Sequence, residues 1–320
     1  MTFSTETSAP LVVIAGITGK QGGSVARALL ESVKPYRIRG LTRDITKPAA
    51  QKFAIAGVQL VAVALTVGNE DGARAAFAGA DVVFAVTNFN EHIDKEREVA
   101  EGKLMVDAAK AVDVKLFIWS ALEPFGTLSQ GRIPDVLFFD SKAEITAYAK
   151  SSGIPLAIVQ AGYYATNIFD GVPYSLKAQP DGSFAYRLPM AGTTRVPLID
   201  VEVDYGLYVR AAIELPALGA GSEVLSGRLI SLNEIIADLA EVTGKEIVYS
   251  QIDRAPFVEA FPFQPLALTI ADMCQAYEEI GYYGSKLPSS EDILARKPKS
   301  WREFLKATPK DGFPVEIRPA

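Results

Sequence analysis

The stretch Gly16-Ile17-Thr18-Gly19-Lys20-Gln21-Gly22-Gly23 decides how this chain is read. It holds four glycines in eight residues and follows directly on the apolar run Leu11-Val12-Val13-Ile14-Ala15. A short, continuously apolar run is the mark of a buried strand. In the spacing Gly16-x-x-Gly19-x-x-Gly22, each glycine has a task. Gly16 permits a tight turn off the strand, Gly19 lets the backbone approach a pyrophosphate, and Gly22 lets the following helix pack closely on the strand. The helix N-terminus then turns free N–H groups and the positive end of its dipole towards the phosphates. On its own the pattern is no more than a βα turn. Its place after a strand, before a helix and at the head of an alternating series points to dinucleotide binding.

Outward from that turn, strands are expected at 11–16, 38–42, 58–65, 80–87, 115–120 and 155–159. Helices are expected at 24–32, 71–78, 97–112 and 142–151, the first with Val25, Ala28 and Leu29 on one face. Strands alternating with helices imply crossover connections and a parallel, doubly wound sheet. Strands that are apolar throughout suit a sheet covered on both faces. The expected fold is therefore α/β, a doubly wound parallel Rossmann sheet with a smaller, mixed C-terminal domain for substrate or partner. The first domain is placed at 1–165 and the second at 166–320, with about 192–250 returning to the Rossmann sheet. In the second part, Asp200 reads as the N-cap of a helix over 200–212. A strand is expected at 228–231, a helix at 231–241 with Glu234 in its first turn, and a strand at 246–249. Helical stretches follow around 257–283 and 300–305. This unit is expected over the carboxyl ends of the parallel strands, closing one side of a pocket.

The 320 residues are 49% hydrophobic and 22% charged, with a formal net charge of -6, a soluble-protein composition. The acidic balance argues against a broad phosphate-backbone surface and against direct nucleic-acid binding. The lone cysteine, Cys274, excludes an intramolecular disulfide framework and a multi-cysteine zinc site, and reads as a buried apolar residue. Residues 1–10 lack the pattern of a secretory signal, and no apolar run reaches the roughly 18 residues of a membrane span. The chain is thus expected in the cytoplasm, with the nucleus as an alternative, as a monomer or homodimer.

The end of the second strand chooses between the two nicotinamide dinucleotides: an acidic residue favours the NAD ribose, a basic one the 2′-phosphate of NADP. Here it reads Leu41-Thr42-Arg43-Asp44, with Lys47 close by. Arg43 offers a bidentate fork to a phosphate and Lys47 a point charge, so NADP(H) is the expected cofactor. Asp44 stays open as a ribose ligand or a helix cap.

Read in order, GITGKQGGSVARALL, RGLTRD, VVFAVTNF, GKLMVDAAK, LFIWSALE and FFDSKAEITAYAKSSGIPLAIV resemble the NmrA-like family, atypical members of the short-chain dehydrogenase/reductase superfamily. The likeness covers about residues 10–250. It implies a Rossmann domain, NADP(H) binding and a small C-terminal domain, in a family with both reductases and redox sensors that act on transcription factors. Carried across position by position, the resemblance lines the pyrophosphate with Gly16, Thr18, Gly19, Gln21 and Gly22. It brings Arg43 and Lys47 to the 2′-phosphate. Thr87, Asn88 and Phe89 run beneath the adenosine and the nicotinamide ribose, Lys142 reaches that ribose, and Tyr163 and Tyr164 border the nicotinamide. Ala64 departs from the pattern, since many relatives have an aspartate there, which leaves the adenine to neighbouring backbone such as Leu65.

Short-chain reductases use Tyr-x-x-x-Lys, the tyrosine giving a proton to the carbonyl oxygen and the lysine lowering its pKa and holding the ribose. Here the spacing reads Phe138-Phe139-Asp140-Ser141-Lys142, so the lysine is kept and Phe138 stands where the proton donor belongs. Ser120 resembles the substrate-orienting serine. Three readings follow: another donor among Lys142, Tyr163 and Tyr164; reduction of an imine or activated alkene; or binding of NADP(H) without turnover, its redox state or occupancy shifting a conformational equilibrium. The catalytic candidates are Lys142, Ser120 and Tyr163. The partner is then a small-molecule substrate or another protein.

Other features weigh less. His92, the sole histidine, reads as a surface-loop residue rather than a general acid. Glu98 and Lys103 read as solvated or as a simple ion pair, and Glu123 as a structural hydrogen-bond acceptor. No His/Asp/Glu cluster has metal-ligand spacing. The aperiodic segment 124–140 is expected as a long loop, a candidate lid. The Gly/Pro/Tyr-rich 170–191 stretch is expected as the facing wall of the pocket. Phe257, Phe261 and Phe263 read as core before pocket lining.

Overall fold

The computed structural model describes residues 8–169, 176–261, 263–313 and 317–318. Residues 1–7, and 170–175 of the expected pocket wall, lie outside the described residues. In chain order the first half runs β1 (Leu11–Ile14), α1 (Lys20–Leu30), β2 (Arg37–Thr42), α2 (Pro48–Ile55), β3 (Gln59–Ala62), α3 (Glu70–Phe77), β4 (Val82–Ala85), α4 (Lys95–Ala111), β5 (Leu116–Ala121), α5 (Phe125–Leu128), α6 (Leu137–Ser152) and β6 (Leu156–Gln160). Then follow β7 (Tyr163–Tyr164), β8 (Lys177–Ala178), β9 (Phe184–Leu188), β10 (Arg195–Ile199), α7 (Tyr205–Glu214), β11 (Glu223–Leu225), β12 (Arg228–Ser231), α8 (Leu232–Thr243), β13 (Ile247–Gln251), α9 (Arg254–Glu259), α10 (Gln264–Glu279) and α11 (Trp301–Ala307).

Seven strands form one sheet in the order β11-β6-β5-β4-β1-β2-β3, and every neighbouring pair is parallel. The strand order reverses between β1 and β4, the switch point at which doubly wound sheets open a crevice at their carboxyl ends. Alternate side chains explain the unbroken apolar runs. Val12, Ile14, Ile38, Phe84 and Ile118 pack with α1 and α7 on one face. Val13, Val83, Phe117 and Trp119 pack with α3, α4 and α6 on the other. Both faces are dry, so a strand gains nothing from polar alternation.

Two three-stranded sheets, β12-β10-β7 and β13-β9-β8, each mix parallel and antiparallel pairing. They share a core with α8, α9, α10 and α11, built on Tyr186, Leu188, Leu239, Ile270 and Trp301. Helix α8 starts where its sequence dictates: Glu234 N donates to Ser231 Oγ at 3.2 Å and Ser231 N to Glu234 Oε2 at 2.9 Å, a reciprocal capping box.

Three expectations are corrected. Helix α7 begins four residues late, with Asp204 as its N-cap. Asp200 instead closes the turn before it, its backbone carbonyl accepting from Asp204 N at 2.8 Å. The segment 124–140 is not a lid. It contains α5 and the first turn of α6, and Phe125, Ile133, Val136 and Phe139 are buried in the core. Those apolar side chains outweigh the lack of helical period, and Asp140 fastens the segment by accepting from Gly126 N at 2.9 Å. Helix α2, absent from the sequence expectation, is set by Pro48 at its first turn, with Ala50 and Phe53 turned inward. Cys274 is buried as expected, and burial pushes its thiol pKa far up. Phe257 and Phe261 are core, whereas Phe263 is exposed at the head of α10.

Candidate functional site

A cleft of about 1140 Å³ opens along the carboxyl ends of β1, β2, β4, β5 and β6. Single small-ligand pockets run to roughly 300–1,000 Å³, so there is room for an extended ligand and a second, smaller molecule. All fifteen residues singled out from the sequence line it: Gly16, Thr18, Gly19, Gln21 and Gly22; Arg43, Lys47 and Leu65; Thr87, Asn88 and Phe89; Ser120, Lys142, Tyr163 and Tyr164.

The glycine loop is built as the spacing requires. Gly16 has φ +63°, a left-handed conformation that favours glycine. A Cβ on Gly22 would stand 2.3 Å from the Gly16 carbonyl oxygen, so a side chain there would force α1 off the strand. Gly19 is the N-cap of α1 and brings no side-chain oxygen, and no acidic residue sits in the first turn. Nothing of the helix's own neutralises its N-terminal N–H groups, which is the state an anion site needs. Gln21 Nε2 donates to the Tyr164 hydroxyl at 2.6 Å, while Gln21 Oε1 is buried without a hydrogen bond. Desolvation raises the Tyr164 pKa, so that hydroxyl stays protonated at neutral pH.

At the end of β2 the two charges are used differently. Asp44 Oδ1 accepts from Thr46 N at 2.9 Å and from Thr46 Oγ1 at 2.6 Å, and these bonds hold its carboxyl below the usual aspartate range. It closes its own turn. Arg43 reaches over the cleft rim to Glu91, and Lys47 is exposed beside it at the N-terminus of α2. Beyond them the Ala64 carbonyl accepts from Asn69 Nδ2 at 2.8 Å, which leaves Leu65 lining the cleft next to it.

The inner end holds a polar cluster. Lys142, on α6, is buried, and its ammonium forms an ion pair with Glu98 of α4. Thr87 Oγ1 donates to Glu98 Oε1 at 2.6 Å, Lys142 Nζ lies 3.3 Å from Thr87 Oγ1, and the Ser141 hydroxyl donates to the other Glu98 oxygen. Glu98 is 2% exposed, so the expectation of a solvated residue is corrected. Lys103 does form an exposed ion pair, with Glu144 at 3.1 Å. One carboxylate with three donors satisfies the rule that a buried charge must be paired and hydrogen-bonded. Glu98 is the residue that sequence reasoning missed. Helical position was the available signal, since Glu98 precedes the buried Val99 and its neighbour Gly102 faces Ile145 of α6.

Ser120, at the end of β5, is buried, and its hydroxyl is engaged with that of Tyr205. The Tyr163 hydroxyl lies 2.8 Å from that of Tyr186, which is fully buried and does not line the cleft. Phe138, in the place of the missing tyrosine, packs on Phe89 with ring centroids 5.8 Å apart. The outer wall comes from α10 through Leu266, Ile270, Met273 and Tyr277, with Tyr282 beyond it. The described residues of 170–191 line no part of the cleft; among the described residues that wall is an apolar face of α10. His92 sits at the rim, Nε2 3.8 Å from both Glu91 and Glu101. Glu123 accepts from Gln160 and pairs with Lys286, a structural role. Among the described residues no group of three or more His, Cys, Asp or Glu is placed to hold a metal, and no helix is long and apolar enough to cross a membrane.

Fold and cleft together define a protein of the Rossmann class whose long crevice has the proportions of a dinucleotide site. The chain belongs to the NmrA-like family, whose model matches residues 8–305. It is 30% identical over 267 residues to the NmrA-like family domain-containing oxidoreductase lnaB of Aspergillus flavus, covering 78% of each chain. It is 29% identical over 308 residues to the corresponding oxidoreductase FrzB of Cladobotryum sp, covering 89% of each. The same fold is found in the crystal structure of NmrA, a negative transcriptional regulator, in complex with NADP, with a TM-score of 0.80 over 97% of each chain at 20% identity.

Proposed function

We propose that this protein binds NADP(H) and uses it to reduce a small, largely apolar organic substrate. The observation that carries the reading is the pair of ends of one continuous cleft. At one end Arg43 and Lys47 face the solvent-side rim while Asp44 is committed to Thr46. At the other, Lys142, held by Glu98, and Ser120 both line the cleft. Between them lies the glycine cradle, which a Cβ would fill, with the orphaned Gln21 oxygen. These features fit a nicotinamide dinucleotide phosphate: pyrophosphate on the α1 N-terminus, 2′-phosphate on Arg43 and Lys47, nicotinamide ribose on Lys142. The cofactor, when bound, would supply a hydride, and the accompanying proton would come from a donor among Lys142, Tyr163 and Tyr164.

The chain's own residues do the rest. Glu98 holds the Lys142 ammonium in one place, leaving an N–H for a ribose hydroxyl. Ser120 orients a polar group of the substrate. Phe89, Phe138 and the α10 wall exclude water and select an apolar body. The oxidoreductase descriptions of lnaB and FrzB agree with this reading. A second reading, a non-catalytic NADP(H)-responsive regulator that binds a protein partner, is favoured by Phe138, which cannot donate a proton. The NmrA crystal structure, a regulator with NADP bound, is its precedent. The discriminating experiment follows NADPH absorbance in the presence of quinones, enones, imines and aryl ketones. Turnover that is lost in Lys142→Ala supports the reductase; tight NADPH binding with no oxidation in any mixture supports the regulator.

A further inference from the structure

Resting on the NADP(H) reading, we propose that Glu91 sets the selectivity of the cleft between 2′-phosphorylated and unphosphorylated nucleotides, by occupying the guanidinium that the phosphate must capture. Arg43 stands just past β2 and Glu91 in the short turn that follows β4, so strands on either side of β1 bring the pair to the cleft rim. Arg43 Nη1 donates to Glu91 Oε1, and both residues line the cleft. The side chains are 67% and 34% exposed. An ion pair this open is weak and exchangeable.

A 2′-phosphate carries up to two negative charges and three acceptor oxygens, and a guanidinium binds it bidentately. It therefore competes directly with the Glu91 carboxylate for Arg43. Once it has won, a dianion and a carboxylate share one rim, and Glu91 opposes the ligand by like-charge repulsion. A ribose 2′-hydroxyl asks nothing of Arg43 and leaves the pair in place. Glu91 thus taxes one class of nucleotide and not the other. Asp44 is tied to Thr46 rather than to Arg43, so its charge is the same whether the Arg43–Glu91 pair is open or closed. His92 Nε2 lies 3.8 Å from the same Glu91 oxygen, and also 3.8 Å from Glu101.

The test is calorimetric titration of the whole protein with 2′,5′-ADP and 5′-AMP, which differ only in the 2′-phosphate and carry the adenosine end of the site without the nicotinamide. Glu91→Gln is expected to bind 2′,5′-ADP about three- to tenfold more tightly than the wild type, while 5′-AMP changes by less than about twofold. The gain should shrink as ionic strength rises, since the contest is solvent-exposed. In an Arg43→Ala background, the gain for 2′,5′-ADP from Glu91→Gln should be clearly smaller, since only the like-charge repulsion is left to remove. Unchanged or weaker 2′,5′-ADP binding by Glu91→Gln, in a wild type that does prefer 2′,5′-ADP, overturns this inference alone. A wild type that binds the two probes equally overturns the NADP(H) reading with it. The substituted side chain is nearly isosteric, and an unaltered melting temperature excludes a folding effect.

Discussion

Replacing Glu98 with glutamine should cost both stability and nucleotide affinity, and the size follows from the geometry. The substitution leaves the Lys142 ammonium without its counter-charge in a site where Glu98 is 2% and Lys142 8% exposed. Breaking a buried ion pair by removing one partner costs about 3–5 kcal/mol. Two features reduce that here: the glutamine oxygen still accepts one of the three hydrogen bonds, and Lys142 opens on the cleft, where water reaches it. A loss of about 2–3 kcal/mol remains, and in a chain of this size it should lower the melting temperature by about 3–5 °C. The double variant Glu98→Gln/Lys142→Met removes the stranded cation. It should be more stable than the sum of the two single losses allows, with a coupling of at least about 1 kcal/mol. Calorimetric melting of the four proteins in one buffer measures the cycle. Strictly additive losses, or a Glu98→Gln protein that melts within about 1 °C of wild type, would refute the account of Glu98 as the buried anchor of Lys142.

Gly22→Ala places a Cβ 2.3 Å from the Gly16 carbonyl oxygen, so NADPH binding should fall below detection by fluorescence titration while far-ultraviolet circular dichroism still shows a folded chain. Burial raises the Asp140 pKa above the ordinary 3.8. A raised carboxyl pKa means the folded state prefers the proton, so a penalty appears as pH rises through that window and is fully present at pH 7. Asp140→Asn, whose oxygen can still accept from Gly126 N, should therefore melt at or above wild type at pH 7. That advantage should vanish near pH 3.5, and an advantage independent of pH would contradict the assignment. The Cys274 thiol, buried and with its pKa driven up by desolvation, should resist alkylation in native protein at pH 8 and react at once in denaturant; rapid native labelling would show that α10 opens.

The parts of this molecule legible in the sequence are those whose signals are local. The run Leu11–Ile14 and the glycines after it specify a strand, a turn and a helix within twenty residues, and Ser231 with Glu234 announces the start of α8. The cleft residues at strand ends were reachable because a parallel sheet presents those ends on one side. What the sequence hid depends on packing between distant segments. Glu98 is charged, and charge alone reads as solvent-facing; only the approach of α4 to α6 shows that it serves Lys142, 44 positions away. The segment 124–140 shows no period because its apolar side chains fill a core shared with α10. Asp200 resembles a helix cap as well as Asp204 does. The choice falls to Asp204, which is fully buried and paired with Arg296 at 2.7 Å, a residue 92 positions further on.

The central claim, that Arg43 and the glycine loop seat a 2′-phosphorylated dinucleotide, is tested most directly by isothermal titration of wild type and Arg43→Ala with NADPH and NADH. The account predicts one NADPH site per chain, NADPH bound at least about tenfold more tightly than NADH, and loss of that preference in Arg43→Ala, consistent with the roughly 1.5–3 kcal/mol of a charge-assisted contact. No heat with either nucleotide, or equal loss of both in the variant, would contradict it.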